Sequence, residues 1–403
     1  MNEILSLAAL WIGLAVISSI IATWFRLATA LSEILVGIGA SLIIGTWLGL
    51  KLLDPNQSWI QFLAGTGAIM LTFLAGTELD HTVFKQKWKE ATAVGVISFL
   101  VPFFGCAALA YYWFHWSAPA SWLTGIALST TSVAVVYAVM LEFGLNKTEY
   151  GKVILAACFI TDLGTVLALG LMFSPFTIKT ITFFVSTIIV CVFLPWLTRF
   201  MFKYFGNRPS EFEAKFLLLF LFILGAMAAW AGSEAVLPAY LIGIALAGVV
   251  GKDHPLVKRL RTLTLGLLTP FYFIRAGSLV SVPSLIAAPF AIVILLLGKM
   301  LTKIIGVYPV TRLFGSANGE GIYTTLLMST GLTFGSISAL YGLSHNIIDT
   351  SQYSCLIVVV IGSAIVPTVI ANMFFLPRHL LHKTKAMQDP MTEGSLVTDK
   401  NTD

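Results

Sequence analysis

Residues 154–173 read ILAACFITDLGTVLALGLMF, an apolar run interrupted by a single charge, Asp162, near its midpoint. A helix of about 20 such residues is long enough to cross a bilayer core of roughly 30 Å. An aspartate at the centre of a membrane helix costs about 2.5–3.5 kcal/mol to insert, so it is kept for a task. The tasks open to it are a proton relay, a cation site, or partnership with a buried base.

The rest of the chain places that run among many others like it. Hydrophobic residues make up 58% of the 403 and charged residues only 11%, too few to cover a soluble core of this size. Mean hydropathy is +0.91, in keeping with a membrane protein. The apolar runs are continuous rather than alternating, which predicts α-helices and excludes an outer-membrane barrel. About thirteen spans are expected, at 4–25, 31–50, 58–80, 90–114, 119–139, 151–173, 179–204, 214–232, 235–251, 262–281, 284–311, 319–343 and 351–377. The chain thus reads as an all-α polytopic membrane domain over 1–380, followed by a polar cytoplasmic tail, 381–403, with no apolar period.

Basic residues give an independent check on the topology. With the tail inside, Lys51 and Lys179 fall outside, and Arg275, Lys299 and Lys303 fall within spans. The remaining nineteen of the twenty-four Lys and Arg residues then lie at cytoplasmic ends, as the positive-inside rule predicts. The N-terminus is expected outside and the C-terminus in the cytoplasm. The first run carries Glu3 rather than a basic start and has no clear cleavage site, so it reads as a span and not a signal peptide. The net charge of +5 is explained by loops facing anionic lipid and calls for no nucleic-acid partner. Cys106, Cys158, Cys191 and Cys355 all fall within spans without metal-ligand spacing, and are expected to fill space as free thiols.

Thirteen spans divide as six, one and six, and the odd linker inverts the second six. In an inverted-repeat transporter the matching spans of the two halves are interrupted near the midplane. The fifth span, WLTGIALSTTSVAVVYAVM (122–140), carries the hydroxyl cluster Ser129-Thr130-Thr131-Ser132 followed by β-branched residues, poor material for an unbroken helix. Its counterpart, YTTLLMSTGLTFGSISALYG (323–342), has Ser329-Thr330-Gly331 and Gly335-Ser336 at the corresponding place. Unwound backbone there offers carbonyls to a cation and helix N-termini to a carboxylate. Small residues that merely let helices approach closely are the plainer alternative.

Four short stretches in this order resemble the monovalent cation:proton antiporter superfamily, of the sodium/proton exchanger type. LTFLAGTELD (71–80) is similar to that family's LFLAGLELD, and LSTTSVAVV (128–136) to its SATSVAVV. FITDLGTV (159–166) stands where the family has an acidic pair or Asn-Asp, and TKIIG (302–306) matches its Lys-x-x-Gly. The resemblance implies a scaffold or dimerisation domain and a mobile core holding two crossed, broken helices, with transport by an elevator-like motion. It implies further that Asp162 is the essential carboxylate, that Thr131 and Ser132, beside Thr130, lie near the ion, and that Lys303 is the buried base. Transported Na+ or K+ and protons are then the partners, with Asp162 as the metal ligand, membrane lipid around the chain, and a second copy forming a homodimer. No cofactor is implied. The residence expected is a prokaryotic inner membrane.

The chemistry of a buried carboxylate fits this assignment. A desolvated pocket disfavours the charged form, so the group holds a proton or a metal cation, but not both. If only occupied states cross readily, competition for one site becomes obligatory exchange. Two departures from the family matter. Position 161 is Thr, which can donate a hydrogen bond to Asp162 but carries no proton through a cycle, so exchange of one proton for one cation is expected to be electroneutral. TPFYFIRAGSLVS (269–281) replaces the family's FFVSVGM and puts Arg275 near mid-span, where it needs a partner: Asp162, a helix end, Glu78 or Glu320. Bracing of the structure is the simpler role for it.

Lys299 rivals Lys303, because it lies one turn earlier on the same helix face. Either can instead snorkel to an interface. Glu33, Glu78, Asp80 and Glu320 lie near span ends and read as hydrated charges, although the last three could line a cytoplasmic funnel. His345 and Asp349 read as an outer surface loop. His81, His254, His379 and His382 fall at cytoplasmic ends, where histidines can sense pH.

An antiporter of Na+ or K+ against protons is therefore the leading expectation. A potassium efflux system or a cation channel of the same superfamily is the alternative, and a sensor built on the fold is a third. An intramembrane enzyme is disfavoured, since the chain has no HExxH, no paired intramembrane aspartates and no Ser-His arrangement at depth.

Overall fold

A computed structural model describes residues 2–25, 29–43, 53–77, 81–143, 145, 148–173, 177–206, 211–233, 235–250, 255–281, 283, 286 and 289–380. The tail 381–403, Glu78, Asp80, His254 and His382 lie outside the described residues, as do the side-chain details of His81.

Among the described residues the regular structure is helical, with no strand. In chain order the helices are α1 (Asn2–Phe25), α2 (Thr29–Leu42), α3 (Ser58–Thr77), α4 (His81–Ala108), α5 (Ala118–Ser129), α6 (Val133–Glu142), α7 (Glu149–Met172), α8 (Ile178–Phe205) and α9 (Phe212–Trp230). They continue with α10 (Val236–Leu246), α11 (Pro255–Leu263), α12 (Thr269–Ser278), α13 (Pro289–Leu313), α14 (Asn318–Met328), α15 (Thr333–Ser344) and α16 (Thr350–Phe374). Wide π-type turns follow α4 at Leu109–Trp113 and join α11 to α12 at Thr264–Leu268. Nine spans among the described residues are long and apolar enough to cross a membrane, the α14–α15 pair counted as one. The shorter apolar helices α2 and α10 fall on two further expected spans, and α5–α6 and α11–α12 cover the remaining two. Each of the thirteen expected stretches therefore falls on helix over most of its described residues.

Local chemistry sets several helix starts. The Ser117 hydroxyl accepts from the Ala120 amide at the head of α5, Thr148 from Gly151 at α7, and Thr177 from Thr180 at α8. Asp349 and Gln352 form a reciprocal capping box on α16. Asp349, expected in an outer surface loop, is thus a helix cap, and the His345 ring bonds the Tyr341 carbonyl.

Two bodies, set apart by which helices touch most, share the molecule and part of one apolar core. One gathers α4, α5–α6, α7, α13, α14–α15 and α16 around a continuous apolar core that includes Ile126, Val136, Ile154, Val307, Tyr323 and Val360. The other packs α1, α2, α3, α9, α10 and α12, with α8 against α9 and α10. Within lipid, helices approach through small residues rather than by hydrophobic drive. α3 and α10 cross at Gly76 and Gly243, where a Cβ on either would come within 2.9 Å of the other's Cα. Glu33 departs from the hydrated helix end expected of it. It is buried, because α2 is sandwiched between α1 and α12. The four cysteines are free, and only Cys191 is not fully buried.

Candidate functional site

The two interrupted spans break where hydroxyl residues cluster, and the hydrogen bonds give the reason. Ser129 Oγ donates to the Ile126 carbonyl at 2.9 Å and Thr130 Oγ1 to that of Ala127 at 3.1 Å. In the second span, Ser329 Oγ donates to the Thr325 carbonyl and Thr330 Oγ1 to that of Leu327, both at 2.8 Å. Side chains thereby serve carbonyls that the end of a helix would leave bare, so stopping there is cheap even inside a membrane. Residues 130–132 and 330–332 are non-helical as a result, with Thr130 extended at φ −60° and ψ 152°.

The breaks are bonded to each other. The Ser132 amide donates to the Thr330 carbonyl at 3.0 Å, and Thr131 Oγ1 donates to the Met328 carbonyl at 2.8 Å. Gly335, expected in the second interruption, lies inside α15 instead, where a Cβ would be 2.9 Å from the Ala127 carbonyl at the end of α5.

α13 contributes two fully buried lysines to this region, one for each break. Lys303 Nζ donates to Ser98 Oγ at 2.7 Å, to the Ser129 carbonyl at 2.8 Å and to Thr131 Oγ1 at 3.1 Å. An ammonium on the last carbonyls of α5 also meets the negative end of that helix. Lys299 Nζ donates to Ser363 Oγ at 2.9 Å and lies against Gly331. Neither snorkels to an interface.

Asp162 is buried on α7, and its Oδ1 has no hydrogen-bond partner among the described residues. Of the two lysines, Lys303 bonds Ser129 and Thr131 at the first break, whereas Lys299 bonds Ser363 beside the second. One turn before Asp162, Cys158 Sγ lies 3.7 Å from Met328 Sδ, bringing α7 against the second break. The Thr161 hydroxyl bonds its own helix, donating to the Ala157 carbonyl at 3.0 Å, with the Gly95 carbonyl of α4 at 3.3 Å. It is not spent on Asp162. The region therefore offers one carboxylate, hydroxyls and backbone carbonyls. Such oxygens are hard ligands, of the kind that suit hard cations rather than soft transition metals.

Arg275 belongs elsewhere. Its Nε donates to the Pro55 carbonyl at 2.9 Å, bracing α12 against the segment that precedes α3. Glu320 pairs with His379 at 2.8 Å, tying the start of α14 to the residues after α16. Sequence reasoning missed Ser98 and Ser363, single hydroxyls in apolar spans. It also missed Tyr240 of α10, whose hydroxyl donates to the Phe159 carbonyl at 3.0 Å across the seam between the two bodies. Its ring meets Phe334 edge-on.

Comparison with known proteins agrees with this architecture. The family model described as "Sodium/hydrogen exchanger, transmembrane" matches residues 12–376. A protein of Methanocaldococcus jannaschii named "Probable Na(+)/H(+) antiporter 3" is 25% identical over 350 residues, 83% of this chain and 88% of that one. Cation/H(+) antiporter 15 of Arabidopsis thaliana is 25% identical over 401 residues, 92% of this chain, which spans about half (48%) of that longer protein. The solved structure of the sodium proton antiporter MjNhaP1 of Methanocaldococcus jannaschii superposes with a TM-score of 0.71 at 16% identity, covering 93% of this chain and 99% of that one. This polytopic, all-helical chain with two interlocked helix breaks belongs to the sodium/hydrogen exchanger family of membrane proteins.

Proposed function

We propose that the protein exchanges a monovalent cation, Na+ or K+, for protons, with Asp162 holding either one in alternation. The observation that carries this reading is the buried Asp162 carboxylate, whose Oδ1 has no hydrogen-bond partner among the described residues, on a helix that meets the second break through Cys158 and Met328. A carboxylate so placed is costly unless a proton or a cation joins it. Thr130, Thr131 and Ser132 supply neighbouring oxygens, and Thr330 and Gly331 the facing backbone. Lys303 supplies a fixed positive charge that discourages a second cation.

Only one carboxylate takes part, because Thr161 occupies the adjacent position and bonds its own helix. One proton for one monovalent cation leaves the charge of the carrier unchanged, so the exchange is electroneutral. The chain works in a prokaryotic inner membrane, N-terminus outside and C-terminus cytoplasmic, as a homodimer. The outward apolar side chains of α1 and α8, such as Ile20, Ile181 and Ile188, supply surface for lipid and for a second copy.

The test is cation-dependent dequenching of a pH dye in proteoliposomes containing the wild type or Asp162→Asn. The Asn variant is expected to lose exchange. Exchange at the wild-type rate would remove Asp162 from the mechanism, and turnover that responds to an imposed potential would refute the 1:1 stoichiometry.

A further inference from the structure

The second break is served by a lysine of its own, and the exchange reaction described above gives that lysine no role. Lys299 is fully buried, yet the ion pairs among the described residues do not include it. Its Nζ donates to Ser363 Oγ at 2.9 Å, and that hydroxyl in turn bonds the Val360 carbonyl at 2.8 Å and reaches the Gly331 carbonyl at 3.4 Å. A Cβ added to Gly331 would sit 2.2 Å from Lys299 Nζ, 3.0 Å from Thr130 Oγ1 and 3.3 Å from Ser363 Oγ. The ammonium thus fills the space that the glycine leaves, between the hydroxyl of one break and the backbone of the other.

The first break has the same parts in a different order. Its lysine, Lys303, caps the end of α5, and Asp162 Oδ1 is without a hydrogen-bond partner among the described residues. At the second break the ammonium itself lies against Gly331 and on Ser363 Oγ, where a cation would be bound by hydroxyl and carbonyl groups. Oxygen-lined unwound backbone in a membrane attracts cations. A lysine threaded into it occupies that position permanently.

We infer that Lys299 is a tethered cation, a positioning residue that fills and neutralises the second helix break and so confines exchange to the single site at Asp162. This rests on the exchange reading above. It predicts that the ammonium, more than the length of the side chain, is what the break requires. A free amine of the right size should replace it when space is opened.

Radiosodium counterflow in proteoliposomes at equal pH on both sides tests this, since it needs no proton gradient that an amine would dissipate. Four proteins are compared: wild type, Asp162→Asn, Lys299→Met and Lys299→Ala. Lys299→Met, of similar length but uncharged, is expected to slow counterflow at least tenfold. Lys299→Ala is expected to be equally slow and to recover severalfold with millimolar methylammonium, while tetramethylammonium, too large for the space, does nothing. Lys299→Met should not recover, because its side chain fills the position. In detergent, methylammonium should also raise the unfolding temperature of Lys299→Ala and leave that of wild type unchanged, a readout that survives if the variants transport poorly for other reasons. Wild-type counterflow in Lys299→Met, or a Lys299→Ala protein that methylammonium neither reactivates nor stabilises, would overturn the inference. Wild-type counterflow in Asp162→Asn would overturn the exchange reading instead, so the two failures are separate.

Discussion

Thr131→Val changes no volume to speak of, yet it removes the hydroxyl that joins three parts of the molecule. Thr131 Oγ1 accepts from Lys303 at 3.1 Å and donates to the Met328 carbonyl at 2.8 Å, so one oxygen links α13, the first break and the second. The hydroxyl-to-carbonyl bond is worth about 1 kcal/mol net, and a bond from an ammonium about 1.5–3 kcal/mol. Lys303 keeps two other acceptors and re-centres on them, which trims the second figure toward its lower end. The expected loss is about 2–3 kcal/mol. Thr131→Ser is the control: it keeps the hydroxyl, removes one methyl group and should lose about 1 kcal/mol. Equilibrium unfolding in mixed micelles, followed by tryptophan fluorescence, separates the two variants. If the linked geometry is needed throughout the cycle, the same 2–3 kcal/mol slows exchange by roughly 30- to 150-fold in the Val variant. A Val variant that unfolds with, and exchanges as fast as, the Ser variant would refute the linkage.

Tyr240→Phe deletes the bond from α10 to the Phe159 carbonyl across the seam. A bond worth about 1 kcal/mol shifts the balance between conformations about fivefold, and hydrogen exchange over 153–166 should speed up accordingly; unchanged exchange there would show that the bond holds nothing. Arg275→Met removes the guanidinium from the Pro55 carbonyl. Stability should fall by about 1.5–3 kcal/mol while the cation KM stays as in wild type, and a large KM change would place Arg275 in the ion path after all. Gly243→Ala sets a Cβ 2.3 Å from the Phe73 carbonyl, an overlap that typically costs about 1–3 kcal/mol or more. The yield of monodisperse protein after detergent extraction should drop, whereas Gly13→Ala, which meets nothing within 4 Å, should not change it.

The spans and their interruptions were legible because each follows from local chemistry. Apolar length makes the helices, and the hydroxyls at 129–130 and 329–330 end them by bonding carbonyls three or four residues back, an arrangement visible in any window of ten residues. Asp162 and the lysines stood out because charge in an apolar run is expensive. What the sequence could not separate was Lys299 from Lys303, since both lie on one face of α13 and differ only in what lies opposite. Ser98 and Ser363 are far off in the chain, and a lone serine in a span carries no mark of the ammonium it meets. The partner of Arg275 was out of reach for the same reason, being a backbone carbonyl 220 positions away. Glu33 was misjudged because its depth is set by how α1 and α12 enclose α2, and not by its distance from the end of an apolar run.

The bonds from Ser132 to Thr330 and from Thr131 to Met328 fasten the two breaks into one piece of framework. On the exchange reading proposed above, an ion held there would be carried in a container whose walls do not come apart in transit. The oxygens that judge it on entry would then be the ones that release it on the far side. Such a carrier has a single scale of preference, so the ranking of Li+, Na+ and K+ should be the same whichever face of the membrane the ions approach. A site rebuilt at each step would be free to prefer one ion on entry and another on exit.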